Sequence, residues 1–319
     1  MIIMVLDLRD TKILETISDH ARLPYSTIGK KTKISKDSVK ARLQRLEQEK
    51  YILSYTPLIN YQHLGYNLYH VYLRVRSPQT NEQAFLKTLT TTPHIVSVTR
   101  TIGKYDYELQ IIAKDEHELY TIINTITQPL HHHLNELQTT THNHYIKYSM
   151  KLQAINIPPL NQTPTNITLD EKDYTIIKTL ANNCRTPLTT LAQTLNITPE
   201  AIRQRLQHLE KNNTILGYYA RTNKHRMGLT TYILLGSITS PLTNQEKDFI
   251  NQQKNIYSTK TCHGTWNIIL GFSAKDNKEL ITTLDLLRNQ FNNKLTQYEL
   301  LILLDRQLYQ PFPINHKKA

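Results

Sequence analysis

Glycine is in short supply. The 319 residues hold eight, and none of them builds the spacing of a phosphate-cradling loop, which removes the simplest signature of nucleotide-dependent chemistry. Cysteine is rarer still. Cys184 and Cys262 cannot form a disulfide framework and have no ligand partners at CxxC spacing, so a reducing cytoplasm is the natural compartment. Long apolar runs are also missing. No window approaches the ~18 apolar residues of a membrane span, and the opening MIIMV has no basic segment before it, so neither an anchor nor an export signal is expected. The carboxylates are scattered without an acid/base pair, and Cys262-His263 lacks the third group of a triad, so no catalytic residue is expected. His131-His132-His133 point in different directions, away from any Cys or carboxylate at ligand spacing, and read as a solvated loop; no metal site and no cofactor are expected.

What the chain has in excess is positive charge. Lys and Arg number 38 against 26 Asp and Glu, a net charge of +12, and nucleic acid is the commonest polyanionic partner for such a balance. The length suits two to four domains rather than one core.

The stretch Ser35 to Lys50, SKDSVKARLQRLEQEK, organises the rest. Val39, Leu43 and Leu46 form one stripe of a 3.6-period helix, and Ser35 is a good N-cap. At ~100° per residue the opposite arc carries Asp37, Lys40, Ala41, Gln44 and Arg45, with Lys36 and Arg42 at its flanks. A helix with one apolar seam and a rim of Lys, Arg and Gln can sit on a small core and turn donors toward phosphates and base edges. Two shorter helical patterns, Leu8 to Ser18 and Ser26 to Thr32, precede it, giving the proportions of a helix-turn-helix. Eight Lys/Arg face three Asp/Glu between Lys30 and Lys50.

The same plan recurs. At an offset of 163 residues Thr198 to Asn213, TPEAIRQRLQHLEKNN, lies under Ser35 to Lys50, and Asp7/Asp170, Asp10/Asp173, Arg22/Arg185, Pro24/Pro187, Arg42/Arg205 and Gly65/Gly228 are identical pairs. Constant register over this span means duplication. The second helix carries Ile202, Leu206 and Leu209 inward and Glu200, Arg203, Gln204, Gln207 and His208 outward, with Arg205 beside the stripe. Its unit is weaker in charge, with six Lys/Arg against five Asp/Glu between Leu169 and Tyr219.

Each of these units is followed by a βαββαβ pattern. In the first copy, strands near Tyr66 to Arg76, Ile95 to Thr101, Tyr107 to Ala113 and Gln138 to Tyr148 alternate with helices near Asn81 to Leu89 and Glu116 to Thr127. The second copy repeats this to Leu303 at an offset of 161. The expected fold class is α+β: two copies of a winged helix-turn-helix followed by a ferredoxin-like domain, an antiparallel sheet with two helices on one face. The divisions fall at 1–60, 61–155, a semi-rigid Pro-rich linker at 156–168, 169–222 and 223–319.

The segment LDLRDTKILETISDHARLPYSTIGKKTKISKDSVKARLQRLEQEKYILSY, followed by Leu64-Gly65, the βαββαβ pattern and Gly103-Lys104-Tyr105-Asp106-Tyr107, resembles the Lrp/AsnC (feast/famine) family of prokaryotic transcription regulators. The resemblance covers almost the whole chain as two fused units. It implies a cytoplasmic, sequence-specific binder of double-stranded DNA. Lys36, Lys40, Ala41, Arg42, Gln44 and Arg45 of the first unit and Arg203, Gln204, Arg205 and Gln207 of the second are the expected DNA residues. Arg42 and Arg205, beside the stripes, have a structural alternative in pairing with a carboxylate. It also implies an amino-acid effector at the turn Gly103, Tyr105 and Asp106, although Asp106 has the alternative of capping that turn; the second copy reads Gly264-Thr265-Trp266-Asn267. Family members ordinarily carry one copy and dimerise, so this chain is expected to fold as its own pseudo-dimer, with further oligomerisation open. Two other functions stay open. One is a sirohaem decarboxylase-like enzyme on the same fold, although Pro93 to Arg100 and the turn after it follow the regulator pattern. The other is a ligand-binding module without DNA contact.

Overall fold

The computed structural model describes residues 6–76, 82–130, 133–148 and 168–314. The expected linker at 156–168 lies outside the described residues except for its last position, as do His131 and His132.

The first three helices, α1 (Leu8–Ser18), α2 (Tyr25–Thr32) and α3 (Lys36–Gln48), lead into strand β1 (Ile52–Ile59). Their ends have local causes. Asp7 and Asp10 form a capping box at α1, and Ser35 accepts the Ser38 amide at 3.2 Å to cap α3. Between α2 and α3 the chain turns through Lys33 at φ 58°. The turn is tight enough that a Cβ on Gly29 would lie 2.6 Å from the Ile34 carbonyl oxygen.

Next comes a ferredoxin-like unit of β2 (Asn67–Val75), α4 (Glu82–Thr91), β3 (Ile95–Ile102), β4 (Tyr107–Ala113), α5 (Glu116–Thr127) and β5 (Leu134–Tyr148). The second half repeats everything: α6 (Glu171–Asn182), α7 (Leu188–Leu195), α8 (Pro199–Lys211) and β6 (Ile215–Thr222), then β7 (Thr230–Ile238), α9 (Asn244–Gln252), β8 (Ile256–His263), β9 (Ile268–Ala274), α10 (Asn277–Phe291) and β10 (Leu295–Tyr309).

The copies join in two places. β1 and β6 pair antiparallel as a two-stranded ribbon, with Tyr55 opposite Ala220 and Pro57 opposite Tyr218. Below it the two four-stranded sheets close into one eight-stranded barrel through β5 with β8 and β10 with β3. Closure removes all four sheet edges, which would otherwise be open templates for pairing. It also explains why β10 runs on to Tyr309, past the Leu303 at which the alternation ends, and why the outer half of β5 is ordered as strand: each outer half is held by the other copy.

The two helix-turn-helix units, expected as separate domains, share one apolar core around the ribbon, running from Ile13, Leu43 and Leu46 to Ile176, Leu206 and Leu209. Reciprocal hydrogen bonds express the duplication. Ala21 N donates to Tyr218 O at 3.0 Å and Cys184 N to Tyr55 O at 2.9 Å; Asn60 N donates to Thr214 O at 3.0 Å and Asn223 N to Tyr51 O at 2.9 Å. Each ferredoxin-like unit keeps its own core between sheet and helices, centred on Phe85 and Leu109 in one and Leu270 and Phe272 in the other. Among the described residues no helix is long and apolar enough to cross a membrane.

Candidate functional site

On α3 the apolar stripe Val39, Leu43 and Leu46 is buried, while Lys36, Lys40, Ala41 and Gln44 are exposed. Lys30, Lys31 and Lys33, on α2 and the turn, are exposed beside them. Among the described residues none of these five lysines is in an ion pair within 4.0 Å, so their charge is available to a partner. On α8 Arg203, Gln204, Gln207 and His208 are exposed in the same way. The counterparts of Lys30, Lys31, Lys33 and Lys36 are Gln193, Thr194, Asn196 and Pro199, and Arg203, which answers Lys40, lies 3.2 Å from Glu200.

The flanking arginines are held otherwise. Arg42 Nη1 lies 2.7 Å from Asp7 Oδ2 and 2.7 Å from Asp10 Oδ1, and Arg45 Nη2 lies 2.7 Å from Asp10 Oδ2. Arg205 repeats the first contact, its Nη2 2.8 Å from Asp170 and its Nη1 2.8 Å from Asp173. The capping box of the first helix in each unit therefore also fixes the third helix, and it does so with a charge-assisted pair. The Asp10 amide and then the Arg42 guanidinium hold the Asp7 carboxyl down to about 2. Arg42 and Arg205 sit in the structural arrangement that their place beside the stripe allowed. Arg45 does not project freely as the helical wheel suggested, because Asp10, almost wholly buried, draws it back; its counterpart His208 contacts Asn212 instead.

The turn after β3 is closed from within. Asp106 Oδ2 accepts the Val75 amide at 2.7 Å, Asp106 N donates to Leu73 O and Thr101 N donates to Asp106 O, both at 2.8 Å. In the second copy Asn267 Oδ1 accepts the Ile238 amide at 2.7 Å, and its Nδ2 donates to Ile238 O at 2.8 Å. The two side chains clamp equivalent strand ends. Gly103 (φ 141°) and Gly264 (φ 135°) bend alike, and Gly103 packs so closely that a Cβ would lie 2.8 Å from Leu300 O. Tyr105 is buried rather than open to a ligand at the turn: it meets its counterpart Trp266 inside the barrel. The two cysteines are buried, and burial pushes both thiols up to about 12.

Comparison with known proteins accords with this geometry. A model of winged helix-turn-helix DNA-binding domains matches residues 6–52, the AsnC-type helix-turn-helix domain matches 169–210, and the Lrp/AsnC ligand binding domain matches 70–151. The chain is 30% identical over 123 residues to the HTH-type transcriptional regulator FL11 of Pyrococcus furiosus, covering 80% of that protein and 38% of this one. The chain belongs to the Lrp/AsnC family of transcription regulators. As an Lrp/AsnC chain it is also 32% identical over 114 residues to the proline dehydrogenase transcriptional activator of Rhizobium radiobacter, covering 72% of that protein and 34% of this one. Its tandem architecture has a solved counterpart: the siroheme decarboxylase NirDL superposes with a TM-score of 0.62 at 12% identity, over 95% of this chain and 93% of that one. At that identity the likeness is one of fold.

The alternation in YNLYHVYLRVR suggested a strand half-exposed to water. β2 is instead buried along almost its whole length, because closure of the barrel covers its second face. His70 and Tyr72 point into the lumen with Glu108, His142 and Lys260. The sequence signal was present, in polar and apolar positions that both lacked the Lys and Glu of a solvated face, but it needs the partner sheet to be interpreted.

Proposed function

We propose that this Lrp/AsnC regulator binds double-stranded DNA chiefly through its first helix-turn-helix, with the second as a weaker and more permissive reader. The observation that carries this is the contrast between the two heads. Five exposed lysines without carboxylate partners surround α3, whereas the corresponding surface of α8 keeps one arginine, and that one faces Glu200. Phosphate contacts by Lys and Arg dominate affinity, so the first head supplies most of the electrostatic attraction. Lys40 and Gln44, exposed one turn apart, suit guanine and adenine edges respectively. Arg42, Arg45 and Arg205 brace the heads and contribute less to contact. The protein acts on this reading as a binder, and the chemistry named for NirDL stays with that enzyme.

The test is the salt dependence of DNA binding. Each phosphate contact contributes a slope of about 0.9 in log K against log salt, so Lys36→Ala with Lys40→Ala flattens the slope by about 1.8. Arg203→Ala, already neutralised by Glu200, flattens it by less than about 0.9. Equal changes from the two heads, or none from the first, would assign the surface wrongly.

A further inference from the structure

Each reading head rests on the neck of the other copy, the short connection between ribbon and barrel. The neck after β1 is the turn Tyr61–Leu64 and the neck after β6 is His225–Met227, each closed by a glycine at positive φ, Gly65 at 80° and Gly228 at 73°. Asn223 N, entering the second neck, donates to Tyr51 O at 2.9 Å, and Asn60 N, entering the first, donates to Thr214 O at 3.0 Å. The second copy's neck therefore lies at the end of α3, and the first copy's neck at the end of α8.

The two helix ends are built alike. After α3 the chain turns at Lys50 (φ 59°), with Lys50 N on Glu47 O at 3.1 Å and Tyr51 N on Leu46 O at 2.9 Å. After α8 it turns at Asn213 (φ 57°), with Asn213 N on Glu210 O at 3.0 Å and Thr214 N on Leu209 O at 2.9 Å. This closure satisfies two of the last carbonyls of a helix and leaves the cap carbonyl to other partners.

What reaches the two ends differs. Arg226 Nη1 donates to the cap carbonyl of Glu49 at 2.6 Å, its guanidinium lies 5.6 Å from the centre of the Tyr51 ring, and its own amide donates to Asn223 Oδ1 at 3.1 Å. The residue in the same place before Gly65 is His63. Its Nδ1 lies 3.4 Å from Thr214 Oγ1, a hydroxyl beyond the cap, and burial lowers its pKa, so it is uncharged at neutral pH. A cation at a helix C-terminus faces the negative end of the dipole and makes a charge-assisted bond to an oxygen otherwise left to water. α3 has that brace and α8 has a neutral ring in its place.

We propose that Arg226 is a positioning residue for DNA reading: from the second copy's neck it fixes the C-terminal end of α3, so that Lys40 and Gln44 meet base edges in one orientation. Reading of base edges needs side chains held to within ~0.5 Å, whereas attraction to phosphates does not. The inference rests on α3 being the principal reading helix and deepens that reading, since α8 is then the more permissive helix through looser support as well as through weaker charge.

The test uses the full chain with two probes, a duplex enriched by it from random DNA and an unrelated duplex of equal length. Arg226→Ala lowers the preference for the enriched duplex by about fivefold, with affinity for the unrelated duplex and the salt slope unchanged. A merely structural arginine would lower the urea midpoint without moving the preference, and a phosphate contact would flatten the slope by about 0.9 on both duplexes. Hydrogen exchange without DNA reports the brace by itself: Arg226→Ala speeds exchange of the Lys50 and Tyr51 amides by about fivefold and leaves Asn213 and Thr214 as they were. Unchanged exchange at Lys50 and Tyr51, an unchanged preference, or a slope flattened by about 0.9 would overturn the proposal. Lys36→Ala with Lys40→Ala on the same duplexes tests the underlying reading separately. If that slope holds while Arg226→Ala still loosens Lys50 and Tyr51, the reading by α3 has failed and the brace has not.

Discussion

Replacing Asp106 separates the two roles open to it. If the carboxylate is a clamp on the end of β2, Asp106→Ala leaves the Val75 amide, 2.7 Å away and belonging to a residue only 5 % exposed, without its acceptor. Hydrogen bonds to a charged group contribute ~1.5–3 kcal/mol. Asp106 itself is half-buried, and water recovers part of the loss, so a destabilisation of about 1.5–2 kcal/mol is expected. Asp106→Asn should cost less, about 0.5–1 kcal/mol, because a neutral amide oxygen still accepts the Val75 amide, as Asn267 does for Ile238 in the second copy. Urea denaturation followed by far-ultraviolet circular dichroism measures both, with the slope m constant if only stability has changed. A loss in Asp106→Asn matching that in Asp106→Ala would show that the charge, not the acceptor, is needed. Calorimetry on the Asn variant completes the experiment: amino-acid binding lost with stability retained would return Asp106 to the effector.

Two further predictions concern buried charge. Lys147 is completely buried on β5, and its Nζ donates to Ile250 O at 3.1 Å, Asn251 O at 3.1 Å and Gln253 O at 2.6 Å, closing the C-terminus of α9. Burial lowers its pKa to about 8, which leaves it charged at neutral pH, and Lys147→Met should cost about 3 kcal/mol by orphaning those carbonyls; a urea midpoint within error of the parent would refute the cap. Burial, with help from Lys260, drops the His70 pKa to about 4, and burial pushes His142 in the same direction. The unfolded chain therefore binds these protons below about 6.5 while the folded chain refuses them, so stability falls as pH goes from 6.5 to 4. Urea midpoints at pH 7, 6 and 5 should decline in that order, and a flat series would contradict neutral burial.

Local rules were legible where local chemistry decides. Ser35 marks a helix start and the stripe Val39-Leu43-Leu46 marks a buried face, both readable from spacing. Duplication was legible from register alone, and with it the prospect of a chain folded on itself. What the pattern could not carry was everything set by the other copy. The extension of β10 beyond Leu303 depends on β3, more than two hundred residues away, the burial of His70 depends on Lys260, and the shared core of the two heads depends on β1 meeting β6. The reading helices were found correctly as helices. Which arginines they could spare was not legible, since Asp10 draws Arg45 in from 35 residues away in sequence.

The central claim is that one chain presents two unequal reading heads. Lys40, Ala41 and Arg45 on α3 are answered by Arg203, Gln204 and His208 on α8, while Gln44 and Gln207 agree. A symmetric dimer reads a palindrome because its helices are identical; a fused pair with different helices does not. Selection of bound fragments from random double-stranded DNA tests this most directly. The account predicts an asymmetric site, with one well-defined half-site and a second, degenerate one. Enrichment of a perfect palindrome would mean that equivalent helices from separate chains do the reading, and it would contradict the single-chain account.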